Sequence, residues 1–99
     1  MFCAGQIPLD PETGNMVAGG VTEQATRVVD NIRGLLQSQG LDFGNVVKST
    51  VFLSDMNNFG SMNEVYAKYF TKEPPARSTV QVARLPKDAL VEIEVVATR

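Results

Sequence analysis

Four side chains in this 99-residue sequence sit where chemistry is natural: the amide of Asn63, the guanidinium of Arg77 and the carboxylates of Glu92 and Glu94. Phe59, Asn63, Tyr66 and Phe70 follow one another at helical spacing, which places a carboxamide on an apolar stripe. A polar group there needs a hydrogen-bond partner. Two roles meet that need: a structural tie from helix to sheet or loop, or an amide aimed into a pocket. Arg77 follows Pro74-Pro75-Ala76, so it opens a strand where the backbone is stiffened. Its planar fork suits a carboxylate; a structural acid or plain solvent would serve it equally on spacing alone. Glu92 and Glu94 share one strand face with Leu90 and Val96. An apolar neighbourhood favours a carboxyl that can hand a proton on, whereas a solvated face would leave both as surface charge.

Composition removes the commoner alternatives. The sequence contains no histidine, so Ser-His-Asp triads, Cys-His dyads, H-E-x-x-H zinc sites and imidazole shuttles are excluded. Ser78 and Thr79 accordingly have no base of that kind to activate them. Cys3 is the single cysteine, which excludes an intramolecular disulfide and a Cys-rich zinc site. One unpaired thiol fits a reducing compartment, and a cytoplasmic location is expected. Gly19-Gly20 is followed by neither G-x-G-x-x-G nor G-K-[ST], so no phosphate loop is present. A net charge of -2 argues against a nucleic-acid partner held through phosphates. No apolar run approaches the ~18–20 residues of a membrane span, and no membrane partner is expected. Any catalysis must therefore use carboxylates, arginine, amides, hydroxyls and backbone groups.

The elements that would position these residues are legible from periodicity. With 43% apolar and 20% charged residues, the chain reads as one globular domain over 1–99. Met1–Gln6 is strand-like, and Pro8 through Gly14-Asn15 turns the chain so that Met16–Ala18 returns as a hairpin strand. Thr22 is the expected N-cap of a helix in which Ala25, Val28, Val29, Ile32, Leu35 and Leu36 recur, with Gly40 as the stop. Val46–Leu53 is a strand, and Asp55 to Asn58 caps a second helix from about Phe59 to Phe70. Glu73-Pro74-Pro75 ends that helix, Arg77–Ala83 is a strand, Leu85 to Asp88 a turn, and Leu90–Thr98 a final strand. The expected order is β-β-α-β-α-β-β, an α+β domain with two helices on one face of a mixed sheet. Phe52, Val80 and Val82 leave the second face partly apolar, and a further subunit is the expected cover.

These residues lie in strings that resemble the RidA-like reactive intermediate (imine) deaminases. Phe2-Cys3-Ala4-Gly5-Gln6-Ile7-Pro8-Leu9-Asp10-Pro11-Glu12-Thr13-Gly14 is similar to that family's opening F-x-S-G-Q-I-P-x-D-P-x-T-G. Asn45 to Met56 resembles its central strand, and Asn63-Glu64-Val65-Tyr66 its second-helix segment. Pro75-Ala76-Arg77-Ser78-Thr79-Val80, Leu85-Pro86 and Glu92-Ile93-Glu94 match its C-terminal signature. The resemblance covers essentially the whole chain. It implies a chorismate-mutase-like arrangement, a homotrimer, and a ligand pocket at each subunit interface. It also implies a leading strand with G-P-Y-S-Q-A, whose tyrosine reaches the pocket; relative to the family, the domain is expected to lack that first strand. Thr79 stands where many members carry cysteine, and Ala4 where serine is usual.

The activity implied is cofactor-free hydrolysis of enamine and imine products of pyridoxal-phosphate enzymes, such as 2-aminoacrylate and 2-iminobutanoate, to 2-oxo acids and ammonia. On this resemblance Arg77 would grip the substrate carboxylate and Glu92 would orient or protonate through the attacking water. Asn63 would line the pocket, and the backbone around Gly5 and Thr79 would complete it. The alternative is a non-catalytic small-ligand-binding or stress-protective interaction protein that uses the same pocket. Endoribonuclease activity, also attached to the family, finds no basic patch in this sequence.

Overall fold

The computed structural model describes residues 1–71 and 74–99. Four strands, β1 (Phe2–Gln6), β2 (Val46–Leu53), β3 (Ala76–Gln81) and β4 (Val91–Ala97), form one mixed sheet in the order β1-β4-β2-β3. Helix α1 (Val21–Ser38) links β1 to β2, and α2 (Phe59–Tyr69) is the crossover between the parallel strands β2 and β3. The last strand, β4, then inserts between β1 and β2, antiparallel to both. This arrangement bears out the α+β reading with both helices on one face. Glu73, part of the expected Glu73-Pro74-Pro75 helix stop, lies outside the described residues. Among those described, no helix is long and apolar enough to cross a membrane.

Strand alternation explains the core. Val91, Ile93, Val95 and Ala97 of β4 and Ser49, Val51 and Leu53 of β2 point under the helices and are buried. Val46 joins them because the β2–β4 register slips between Val46 and Lys48, a bulge that brings both Val46 and Ser49 to the inner side. Helix α1 covers this surface with Ala25, Val28, Val29, Ile32 and Leu36, and α2 with Met62, Val65 and Tyr66. The opposite face is bare. Phe2 is 86% exposed and Val80 42%, with Phe52, Val82 and Val96 half-buried.

Three sequence expectations need correction. The returning strand at Met16–Ala18 is absent, and only an isolated Leu9–Met16 bridge closes the turn. Pro8 and Pro11 bring no N–H to a ladder there, so the segment is held by Asp10 N–H on the Asn15 carbonyl and Val17 N–H on the Pro8 carbonyl. The element order is therefore β-α-β-α-β-β. Thr22 is not the cap: α1 starts from Gly20, with no side-chain cap, so Thr22 lies inside the first turn and its carbonyl accepts from Thr26 Oγ1. Gly19, at φ +108°, brings the chain in so closely that a Cβ would touch the Glu23 side chain at 2.8 Å. Leu35 is off the buried stripe and 37% exposed.

Candidate active site

Arg77 and Asn63 meet. Arg77 opens β3 on the helix-covered face, as the register partner of buried Ser49, and its Nη1 donates to Asn63 Oδ1 at 2.6 Å. Its guanidinium carbon lies 4.7 Å from the Tyr66 ring centroid and 5.5 Å from that of Phe59. The crossover forces this meeting, because α2 is antiparallel in travel to the strands it joins and packs its Phe59–Asn63–Tyr66 stripe over the start of β3. Among the described residues no carboxylate lies within ion-pair distance of Arg77. The cation is stacked and oriented, yet its charge has no described acidic partner. Asn63, Tyr66, Phe70, Pro74, Pro75 and Arg77 line a cavity of about 410 Å³.

Behind Arg77 the Tyr66 hydroxyl meets Ser49 Oγ at 2.6 Å. Burial pushes the Tyr66 phenol above its ordinary range, against the opposing pull of the Ser49 hydrogen bond and the nearby Arg77 charge. The ring thus stays neutral beside a cation. The helical spacing places Tyr66 on the apolar stripe of α2 and marks neither its hydroxyl nor Ser49. The available signal was parity: a serine two residues before Val51 and four before Leu53 must share their inward face.

Glu92 and Gly5 also meet, but elsewhere. Glu92 pairs with Phe52 across β4–β2, on the bare face of the sheet and beside the Gly5 backbone. A Cβ on Gly5 would stand 2.8 Å from the Glu92 carboxyl carbon and 2.9 Å from both oxygens. Arg77 and Glu92 therefore point to opposite faces, three residues along and two strands across, roughly 10 Å in each direction before the side chains extend. One copy of the chain does not unite them. Thr79, paired with Val51, shares the inner face with Arg77, and its buried Oγ1 has no hydrogen-bond partner among the described residues. A larger groove of about 610 Å³ between the end of β1 and α1 touches Gly5 but neither Arg77 nor Glu92.

Gly5→Ala is expected to displace the Glu92 carboxylate rather than unfold the sheet, because the close atoms are the far end of a flexible side chain. Thermal unfolding should change little, while any turnover that uses Glu92 should fall by about 10–10²-fold, the scale set by a misplaced catalytic group.

A four-stranded mixed sheet of this order under two helices defines a small α+β class. A profile of the family described as Endoribonuclease L-PSP matches residues 1–99. A RutC family protein of Pyrococcus abyssi is 53% identical over 97 residues, covering 98% of this chain and 76% of its own length. The 2-iminobutanoate/2-iminopropanoate deaminase of Mus musculus is 48% identical over 99 residues, 100% of this chain and 73% of its own length. The crystal structure of Escherichia coli TdcF with bound serine matches with a TM-score of 0.91 at 44% identity, over 99% of this chain and 79% of that one. The chain belongs to this L-PSP family, and the resemblance to the RidA-like deaminases read from its motifs holds.

Proposed function

We propose that the chain is a cofactor-independent hydrolytic deaminase acting on reactive enamines and imines, such as 2-aminoacrylate and 2-iminobutanoate, to release 2-oxo acids and ammonia. The observation that carries this reading is Arg77, stacked on Tyr66 and oriented by Asn63 with no described acid beside it. A guanidinium so held is prepared for an incoming carboxylate. The name of the mouse relative and the serine bound to TdcF support the same substrate class, small molecules with an α-carboxylate.

The chemistry asks for little more. An enamine first gains a proton at its β-carbon and loses one from nitrogen, becoming the imine. Water then adds to the carbon of the C=N bond, its oxygen forming the new C–O bond and a proton passing to nitrogen through Glu92. The resulting carbinolamine collapses as the C–N bond breaks, nitrogen leaves as ammonia, and the hydroxyl proton returns through the carboxylate. Arg77 holds the carboxylate throughout, so the reacting carbon keeps its place. Thr79, with its unpartnered hydroxyl two residues from Arg77, lies on the same side of the sheet.

Because Arg77 and Glu92 face opposite ways in one copy, we infer a homotrimer in which the bare face of each sheet is covered by a neighbour. Glu92 and Gly5 of one copy then complete the Arg77 half-site of the next. Phe2, Phe52 and Val80 give that face its apolar area. Light scattering is expected to return a mass near three times that of the chain; a stable monomer at micromolar concentration would remove both the trimer and the shared site.

The direct test generates the imine in situ with an amino-acid oxidase and follows ammonia and 2-oxo acid. Release faster than in enzyme-free buffer is expected. Asn63 and Tyr66 hold Arg77 without any contribution from Glu92, which favours one second reading, a non-catalytic ligand-binding protein. Tight 2-oxo acid binding without acceleration would select it.

A further inference from the structure

Ser49 is 1% exposed and Tyr66 5%, and their hydroxyls meet in the core. Packing alone asks for neither hydroxyl. Phenylalanine at position 66 would keep the stack on Phe70, whose centroid lies 4.2 Å away with the rings 18° from parallel. Alanine at position 49 would fit the same inner face, and exchanging both members of a buried hydroxyl pair for apolar groups is close to neutral. What the pair adds is a fixed ring. Tyr66 is held at one end by the α2 backbone and at the other by the hydrogen bond between its Oη and Ser49 Oγ on β2, which restricts its tilt.

Arg77 is the group that meets that ring plane. It is the direct register partner of Ser49, so anchor and guanidinium lie on adjoining strands of one sheet face, and the Tyr66 platform on α2 meets both. The Tyr66 ring faces the guanidinium with its centroid 4.7 Å from the guanidinium carbon, and the bond from Nη1 to Asn63, one turn earlier on α2, ties one arm of the fork. We propose that the Ser49–Tyr66 hydroxyl pair is a positioning device for Arg77, holding its fork edge-on to an incoming carboxylate. The inference rests on the reading of Arg77 as the carboxylate grip. Ser49 and Tyr66 act through Arg77.

The test compares Tyr66→Phe, Ser49→Ala and the double variant by thermal unfolding, by calorimetric binding of 2-oxobutanoate, and by nitrogen NMR of the Arg77 guanidinium without ligand. Each single variant strands a buried hydroxyl and is expected to melt below wild type. The double variant strands none and is expected to melt within about 2 °C of wild type. Its Kd for 2-oxobutanoate should nevertheless stay about tenfold weaker, the cost of a loosened contact group, with kcat at saturating imine changed far less. Its Arg77 guanidinium resonances should average rapidly where those of wild type do not.

Ser49→Thr keeps the hydroxyl and should keep Kd within about threefold of wild type, which separates the hydroxyl from the mere change of residue. A double variant with wild-type Kd and an equally restricted guanidinium overturns the proposal, as does a Ser49→Thr protein that binds as poorly as Ser49→Ala. If no protein in the set accelerates imine hydrolysis, the deaminase reading fails while binding and NMR still decide this one. If wild type does not bind 2-oxobutanoate, the carboxylate reading fails and the ligand-free guanidinium dynamics alone decide it.

Discussion

Glu92→Gln is expected to lower kcat for imine hydrolysis by about 10²–10⁴ while leaving 2-oxo acid binding nearly intact. Glutamine keeps the length and shape of the side chain beside Gly5, so the contact at the Gly5 backbone survives. It cannot accept and return the proton that water must lose and nitrogen must gain. Loss confined to turnover is the signature of a group that acts on the transition state and not on the carboxylate. Glu94, two residues on, supplies the control: it lies on the same face but is exposed, paired with Thr50, and without a glycine pressed against it. Glu94→Gln should turn over far closer to wild type. Steady-state kinetics of both variants, with 2-oxobutanoate affinity measured separately, check the assignment. A Glu92→Gln protein as fast as wild type would strike Glu92 from the mechanism.

Arg77→Ala is expected to weaken 2-oxobutanoate binding by roughly 10²–10³-fold, from two charge-assisted hydrogen bonds lost together. The effect should fall mainly on substrate capture, because the grip acts alike in ground and transition states. Arg77→Lys should recover only part of it. An ammonium keeps the charge but neither lies flat on Tyr66 nor presents two parallel donors. Asn63 would also lose the partner that now donates to its Oδ1, so unfolding curves accompany the binding data to confirm that both variants fold. Normal 2-oxobutanoate affinity in Arg77→Ala would place the carboxylate elsewhere and, with it, the site.

Periodicity by itself determined most of this fold. Val46–Leu53 and the alternating face of Val91, Ile93, Val95 and Ala97 are strands on pattern alone, and both helices follow from their apolar spacing. The same local patterns marked Asn63 and Arg77 as anomalies, since an amide on an apolar stripe and an arginine after two prolines conflict with their settings before any contact is known. Where local chemistry had competing outcomes, it misled. Thr22 suits an N-cap, yet the close turn at Gly19-Gly20 starts the helix two residues earlier, and two prolines reduce an expected hairpin strand to a single bridge.

Tertiary structure alone decided which anomalies belong together. The β2–α2–β3 crossover lays Asn63 and Tyr66 against Arg77, and the parallel register sets Ser49 beside it, contacts between residues 14 and 28 positions apart that no local pattern encodes. Insertion of β4 between β1 and β2 brings Gly5 against Glu92, residues from opposite ends of the chain. Strand parity then turns Glu92 away from Arg77, so that the two halves of the candidate site occupy opposite faces. Sequence patterns report which side of an element is apolar, because burial of that side drives local periodicity. They do not report which elements become neighbours, because that follows from the order in which strands enter the sheet, and here that order sets Gly5 against Glu92.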